Sequence, residues 1–355
     1  MIPKSNRKLY LDFIRILAAF LVIYNHTDGY HFYLEYRSAP MKVFCTIMAS
    51  SLTRVNVPLF AMISGVLLLG KAESYRDLFS KRILRFASVL FIFSITLYIT
   101  GHIGDFELTR ALKRVLNCDV TGVYWFLFSY LGFLFCLPFL RKCASQISSQ
   151  DIAVLIICRT VLVSCPTVIS YLFKFFGWEY LSISGNFSHI FATSTFLYYP
   201  LIGYYLDKHV TADQIRKSLP LLILILFADT LLSSAITYQC YIVKTLTQSY
   251  LGIFCHLSAI SVFLIVKYLF ELWQAKPHKQ IGEKLLVTIS SFSLGIYLID
   301  PFLKDCLHLL QKMDEFFNGT IHIVPLSVLY CFVSMAIGIA ITWVLRKLPV
   351  FRKLL

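Results

Sequence analysis

Apolar runs of about twenty residues recur along the chain, and that recurrence limits the fold more than any other property of the sequence. A run of this length crosses the hydrocarbon of a bilayer as one helix, and only helices or closed barrels satisfy the backbone there. The runs fall at 9–29, 48–70, 84–101, 123–140, 152–173, 189–206, 218–237, 250–270, 286–304 and 322–345. They predict an all-α integral membrane protein, a single bundle of about ten transmembrane helices. Nothing of domain size and soluble character separates them, so residues 1–355 read as one transmembrane domain with no separate soluble domain. Composition agrees. With 58% hydrophobic residues, 15% charged residues and a mean hydropathy of +0.71, the soluble globular classes are excluded.

An even number of spans puts both termini on one face, and the basic residues say which. Lys and Arg are about twice as frequent on the face that holds the termini, which predicts cytoplasmic termini. A net charge of +14 could suggest nucleic acid, but the cations sit in short clusters between apolar runs and read as topology. Nucleic acid is therefore not an expected partner. The ten cysteines show no CxxC spacing and no Cys/His cluster, and they read as small apolar residues with no metal site. The first run follows a basic flank of Lys4, Arg7 and Lys8, but its internal charges and the lack of a small-residue cleavage site predict a retained anchor.

That first run, LDFIRILAAFLVIYNH, carries Asp12, Arg15 and His26 through apolar sequence. Arg15 and His26 lie about three helical turns apart, hence on one face and about 16 Å apart along the axis. Ionisable groups inside a span face protein or water and mark function by default. His26 is a candidate general base; the alternative is an interfacial histidine. Asp12 is placed to pair with Arg15 at i, i+3, which serves either catalysis or a structural ion pair.

In the predicted orientation two polar levels result. The inner one holds Asp12, Arg15 and the cluster Lys81, Arg82 and Arg85, where arginine is suited to forked contacts with phosphate. The outer one holds His26, Arg54, Tyr124, Trp125, Tyr297 and Asp300. Pro58, Ser64 and Gly65 within VPLFAMISGVLL allow a kink and close backbone approach. Arg159, Asp229 and His256 also fall in spans, and the sequence assigns them no role.

Together these motifs resemble the acyltransferase 3 family of multi-pass membrane acyltransferases. The pieces that match are Asp12, Arg15 and His26 in the first run, VPLFAMISG in the second, Arg82 and Arg85 at the third, YWFLF at the fourth and SLGIYLID at the ninth. The pattern is nearest to the short, membrane-only members, such as those that O-acetylate the enterobacterial common antigen. Where many members close the ninth motif with histidine, this chain has Asp300.

The resemblance implies a bacterial inner or plasma membrane enzyme that moves an acyl group from acyl-CoA, usually acetyl-CoA, to a hydroxyl of a surface glycan or lipid-linked sugar. It implies no permanently bound cofactor. It places Arg82, Arg85, Lys81 and Arg15 on the donor and His26, with Arg15 and Asp12, in catalysis. Arg54, Ser64, Tyr124, Trp125, Tyr297 and Asp300 then belong to the acceptor side. Direct transfer and a covalent acyl-histidine route both remain open. A secondary transporter, or a carrier of acyl groups without sugar chemistry, is the alternative class.

Overall fold

The computed structural model describes residues 7–27, 39–178, 195–243, 251–275 and 280–355. Lys4, residues 28–29 of the first expected span, residues 189–194 of the sixth and residue 250 of the eighth lie outside them. The described residues form helices and their connections, with no strand among them.

In chain order the helices are α1 (Leu9–His26), α2 (Pro40–Thr53), α3 (Asn56–Leu68), α4 (Tyr75–Gly101), α5 (Leu108–Leu116), α6 (Trp125–Gln146), α7 (Ser149–Phe175) and α8 (Thr195–His209). They continue with α9 (Ala212–Ile242), α10 (Cys255–Ala275), α11 (Gln280–Ser291), α12 (Ser293–Pro301), α13 (Leu309–Phe316), α14 (Ile323–Leu345) and α15 (Pro349–Leu354). Among the described residues, eight helical stretches are long and apolar enough to cross a membrane. The count is nine if the bent pair of α11 and the stretch Ser293–Cys306 forms one span. With that pair counted, every expected span but the sixth, 189–206, has such a helical counterpart, and of the sixth only the part from Thr195 on, in α8, is described.

The helices are interrupted where the sequence makes regular turns costly. The second expected span breaks at Arg54–Val55 between α2 and α3, and Pro58 falls in the first turn of α3, where its missing N–H costs little. Beyond Pro301 the chain widens into a π turn, Phe302–Cys306, because proline withdraws one helical donor. Similar π turns occur within α4 at Leu78–Ile83 and within α7 at Thr160–Ser164.

The chain divides into two compact units. The first comprises Met1–Leu21, Tyr30–Leu67 and Ile147–Ser291; the second comprises Val22–Gly29, Leu68–Gln146 and Phe292–Leu355. Helix α1 thus contributes Leu9–Leu21 to one and Val22–His26 to the other.

In the first unit α9 packs along α10 and α2. Helices α3 and α8 meet backbone to backbone, since a Cβ on Gly65 would lie 1.9 Å from the Pro200 carbonyl oxygen. This is the close approach expected of the small residue in VPLFAMISG. Asp229 caps α10 from α9: its oxygens accept from the Phe254 N–H at 2.9 Å, Ser258 Oγ at 2.5 Å and Ser233 Oγ at 3.1 Å. His256 Nε2 lies 2.8 Å from Thr160 Oγ1, and the Arg159 guanidinium sits 5.3 Å from the ring centres of both Tyr198 and Tyr199. Asp229, His256 and Arg159 thus meet partners across helices.

Lys267, a cation inside the eighth expected span, is buried and donates to the carbonyls of Leu206, Asp207 and Val210 at 3.2, 2.9 and 2.7 Å. It adds donors to carbonyls at and just past the last turn of α8, where helical donors run out. Lys267→Met is expected to cost about 2 kcal/mol of stability, because charge-assisted bonds to buried carbonyls are lost. A lowered unfolding midpoint in detergent checks this; an unchanged midpoint would contradict the capping role.

Helix α12 packs on α14 in the second unit through two glycines. A Cβ on Gly295 would lie 2.1 Å from Thr342 Oγ1, and one on Gly338 would lie 3.0 Å from the Ile296 Cα. The two helices are therefore held closer than residues with side chains would permit, and the register sets Asp300 of α12 against Tyr330 and Ser334 of α14.

Candidate active site

The last residue of α1 is His26, and its Nδ1 lies 2.7 Å from Asp300 Oδ2. Asp300 is completely buried, at 0% exposure, and its other oxygen accepts from Ser334 Oγ at 2.9 Å and Tyr330 OH at 3.2 Å. A buried carboxylate is tolerated only when hydrogen-bonded throughout, and here three donors converge on it. With an ionised Asp300 accepting, Nδ1 of the imidazole carries the proton and Nε2 holds the lone pair. The His26 side chain is 16% exposed, so the ring is mostly sheltered. Such an arrangement is able to take up a proton at Nε2 and to hold the imidazolium that results.

Two tyrosines close the surroundings. Tyr124 OH donates to the Leu298 carbonyl at 2.7 Å, and Tyr297 OH donates to the Val123 carbonyl at 2.5 Å. These reciprocal bonds tie the entry to α6 onto α12 beside His26, whose ring centre is 6.4 Å from that of Tyr297. Both hydroxyls are engaged by main chain, so these tyrosines offer ring surface. Trp125 is 46% exposed and rests edge-on against Phe126, outside the cluster of hydrogen bonds around Asp300.

The opposite end of α6 and the start of α4 hold the arginines. Arg82 Nε donates to both Glu73 oxygens at 2.9 and 2.8 Å, and Arg141 Nη2 reaches the same carboxylate at 3.0 Å. Burial pushes the Glu73 carboxyl up, but the hydrogen bonds from Arg82 and Arg141 outweigh it and hold it below the usual glutamate range. Arg85 Nε donates to the Leu354 carbonyl at 2.9 Å. Lys81 stands apart from both: its side chain is 71% exposed and pairs with Asp77 at 2.7 Å.

The remaining sequence candidates lie in the first unit. Arg7 grips Asp12 in a fork, at 2.7 and 2.8 Å, while Ser290 Oγ donates to it at 2.7 Å. Arg15 meets Asp12 only at 3.5 Å and donates to Ser290 Oγ at 3.0 Å. The pair expected at i, i+3 is thus one edge of a four-residue cluster, with Arg7 as the principal partner. Ser64 Oγ bonds back to the Phe60 carbonyl within α3 at 2.8 Å. Arg54 closes α2, and its carbonyl accepts from Cys255 Sγ at 3.2 Å.

The structure thus brings together His26, Asp300, Tyr124 and Tyr297, and separately Arg82 with Glu73 and Arg141. Sequence reasoning missed Tyr330, Ser334, Glu73, Arg141, Arg7 and Ser290. The available signal was slight: Glu73 is an acid in the basic stretch around α4, and Tyr330 and Ser334 share one face of an apolar helix. All ten cysteines are free thiols, and no group of His, Cys, Asp and Glu able to hold a metal ion occurs among the described residues.

A family model described as an acyltransferase domain, that of the acyltransferase 3 group, matches residues 8–344, nearly the whole chain. No curated protein and no solved structure matches the chain.

Proposed function

Because the chain belongs to the acyltransferase 3 family, whose members are membrane acyltransferases, we propose that it moves an acyl group from acyl-CoA to a sugar hydroxyl with His26 as general base. The observation that carries this reading is the 2.7 Å bond between His26 Nδ1 and the buried carboxylate of Asp300. In the proposed step Nε2 of His26 takes the proton of the acceptor hydroxyl as its oxygen attacks the thioester carbonyl. The C–S bond then breaks, and the departing CoA thiolate takes that proton from the imidazolium. Asp300 keeps the tautomer and stabilises the cation formed in between.

The donor is acetyl-CoA in this reading, and it is approached from the cytoplasm at the end marked by Arg82 and Arg85. Arg82 and Arg85 are the phosphate contacts, with Lys81 at their exposed edge. Arg15 serves as a guide for the anionic donor. The acceptor is a surface glycan or its lipid-linked precursor, and the ring surfaces of Tyr124, Tyr297 and Trp125 suit a sugar. Arg54 and Ser64 remain acceptor candidates on sequence grounds. The setting proposed is a bacterial inner membrane with both termini cytoplasmic.

Incubation of the purified protein in bilayers with acetyl-CoA labelled in the acetyl group, together with a glycan acceptor, tests the reading. Labelled glycan and an equal amount of free CoA are expected. Movement of label across the bilayer without CoA release would instead indicate a carrier.

A further inference from the structure

Between residues 71–78 and the far end of α6 lies a cleft of about 340 Å³, within the size range of small-molecule sites. Lys71, Arg141 and Lys142 line it as cations, Glu73 is the one acid among its lining residues, and Tyr75 adds an exposed ring. Glu73 is also the point on which Arg82 and Arg141 converge, at 2.8 to 3.0 Å. Guanidinium groups arranged around a carboxylate present the same fork of donors that recognises a phosphate. The carboxylate occupies the place a phosphate would take, with a surplus of positive charge around it.

We propose that this cleft binds the phosphate-bearing adenosine end of acyl-CoA, and that Glu73 holds Arg82 and Arg141 in place until a phosphate displaces it. The inference rests on the donor reading above and adds Arg141, Lys71 and Lys142 to that site. Glu73 can leave because residues 71–74 connect α3 to α4 without helical structure. A phosphate brings more charge than the carboxylate it replaces, and Lys71 and Lys142 stand ready for the excess. The position also suits the chemistry. Arg141 lies seventeen residues beyond Tyr124, about 25 Å along the axis of α6, a separation comparable with an extended acyl-CoA.

Calorimetric titration of the full chain in phosphatidylcholine nanodiscs with CoA, 3′-dephospho-CoA and pantetheine tests this. Glu73→Gln is expected to tighten CoA binding about tenfold, because the arginines no longer need to release a charged competitor. Arg141→Ala is expected to weaken it by about the same factor, and neither is expected to alter pantetheine binding. Lys142→Ala changes an exposed side chain that can be lost without disturbing the fold, and is expected to weaken CoA several-fold. Weakening of CoA by a folded Glu73→Gln protein would overturn the proposal, because Glu73 would then build the site instead of occupying it. So would CoA binding that Arg141→Ala and Lys142→Ala leave unchanged, which decides the matter if Glu73→Gln does not fold. A wild-type protein that binds no CoA would defeat the donor reading itself.

Discussion

His26→Ala is expected to lower acyl transfer by about 10²–10⁴-fold, the usual contribution of a positioned general base, while the protein stays folded in detergent. The side chain ends α1 and makes its described bond to Asp300 alone, so its removal leaves the helix intact. Asp300→Asn is expected to come close to the same loss for a different reason. An amide can present its NH₂ to Nδ1, and the imidazole then adopts the tautomer with the proton on Nε2, where the lone pair is needed. Asparagine also cannot neutralise the imidazolium formed during transfer. Because the two residues act as one unit, the double variant is expected to lose little more than His26→Ala alone. Kinetics with labelled acetyl-CoA, normalised to folded protein, read all three; independent, multiplicative losses would show that the residues do not work together.

Gly295→Ala is expected to cost about 1–3 kcal/mol of stability, the usual price of overpacking a close-packed contact, and to reduce transfer as well. The added methyl would meet Thr342 Oγ1 at 2.1 Å and Cγ2 at 2.5 Å. Either Thr342 or the spacing of α12 from α14 must give way. Spacing matters to chemistry, because the same helix pair carries Asp300 and its donors Tyr330 and Ser334. Thr342→Ala removes two of the three clashing atoms but leaves Cβ, 2.8 Å away. Combining the two changes is therefore expected to restore stability and activity in part, a favourable coupling in a double-mutant cycle. If Gly295→Ala melted and turned over like the wild type, the contact between α12 and α14 would not be what positions Asp300.

The spacing of Arg15 and His26 was legible because helix periodicity is, and α1 spans both. The pairing of Asp300 with His26 was not, since the two lie 274 residues apart and no local pattern records that contact. Tyr124 and Tyr297 could be placed at one level from hydropathy, but their hydroxyls bond main-chain carbonyls, which leave no mark in sequence. The Asp12–Arg15 pair read from i, i+3 spacing is present at 3.5 Å, but the shorter contact to Asp12 was not legible. The i, i+3 rule favours Arg15, yet Arg7 comes from just outside α1, where periodicity says nothing, and forms the better fork. Glu73 was overlooked because positive charge near α4 was already explained by topology, and a single acid in a connecting segment carries no period. Nine of the expected spans have apolar helical counterparts among the described residues when the bent pair is counted, and the sixth is described only from Thr195 on, in α8. Family membership could be read from the ordered set of motifs, which does not depend on any one span.

Release of free CoA by wild-type and His26→Ala protein, in the same bilayers with the same acetyl-CoA and acceptor, tests the assignment of His26 most directly. CoA release equal to acceptor acylation is expected for the wild type, and near-complete loss of both for a His26→Ala protein that still binds CoA. Wild-type release from His26→Ala would contradict that assignment.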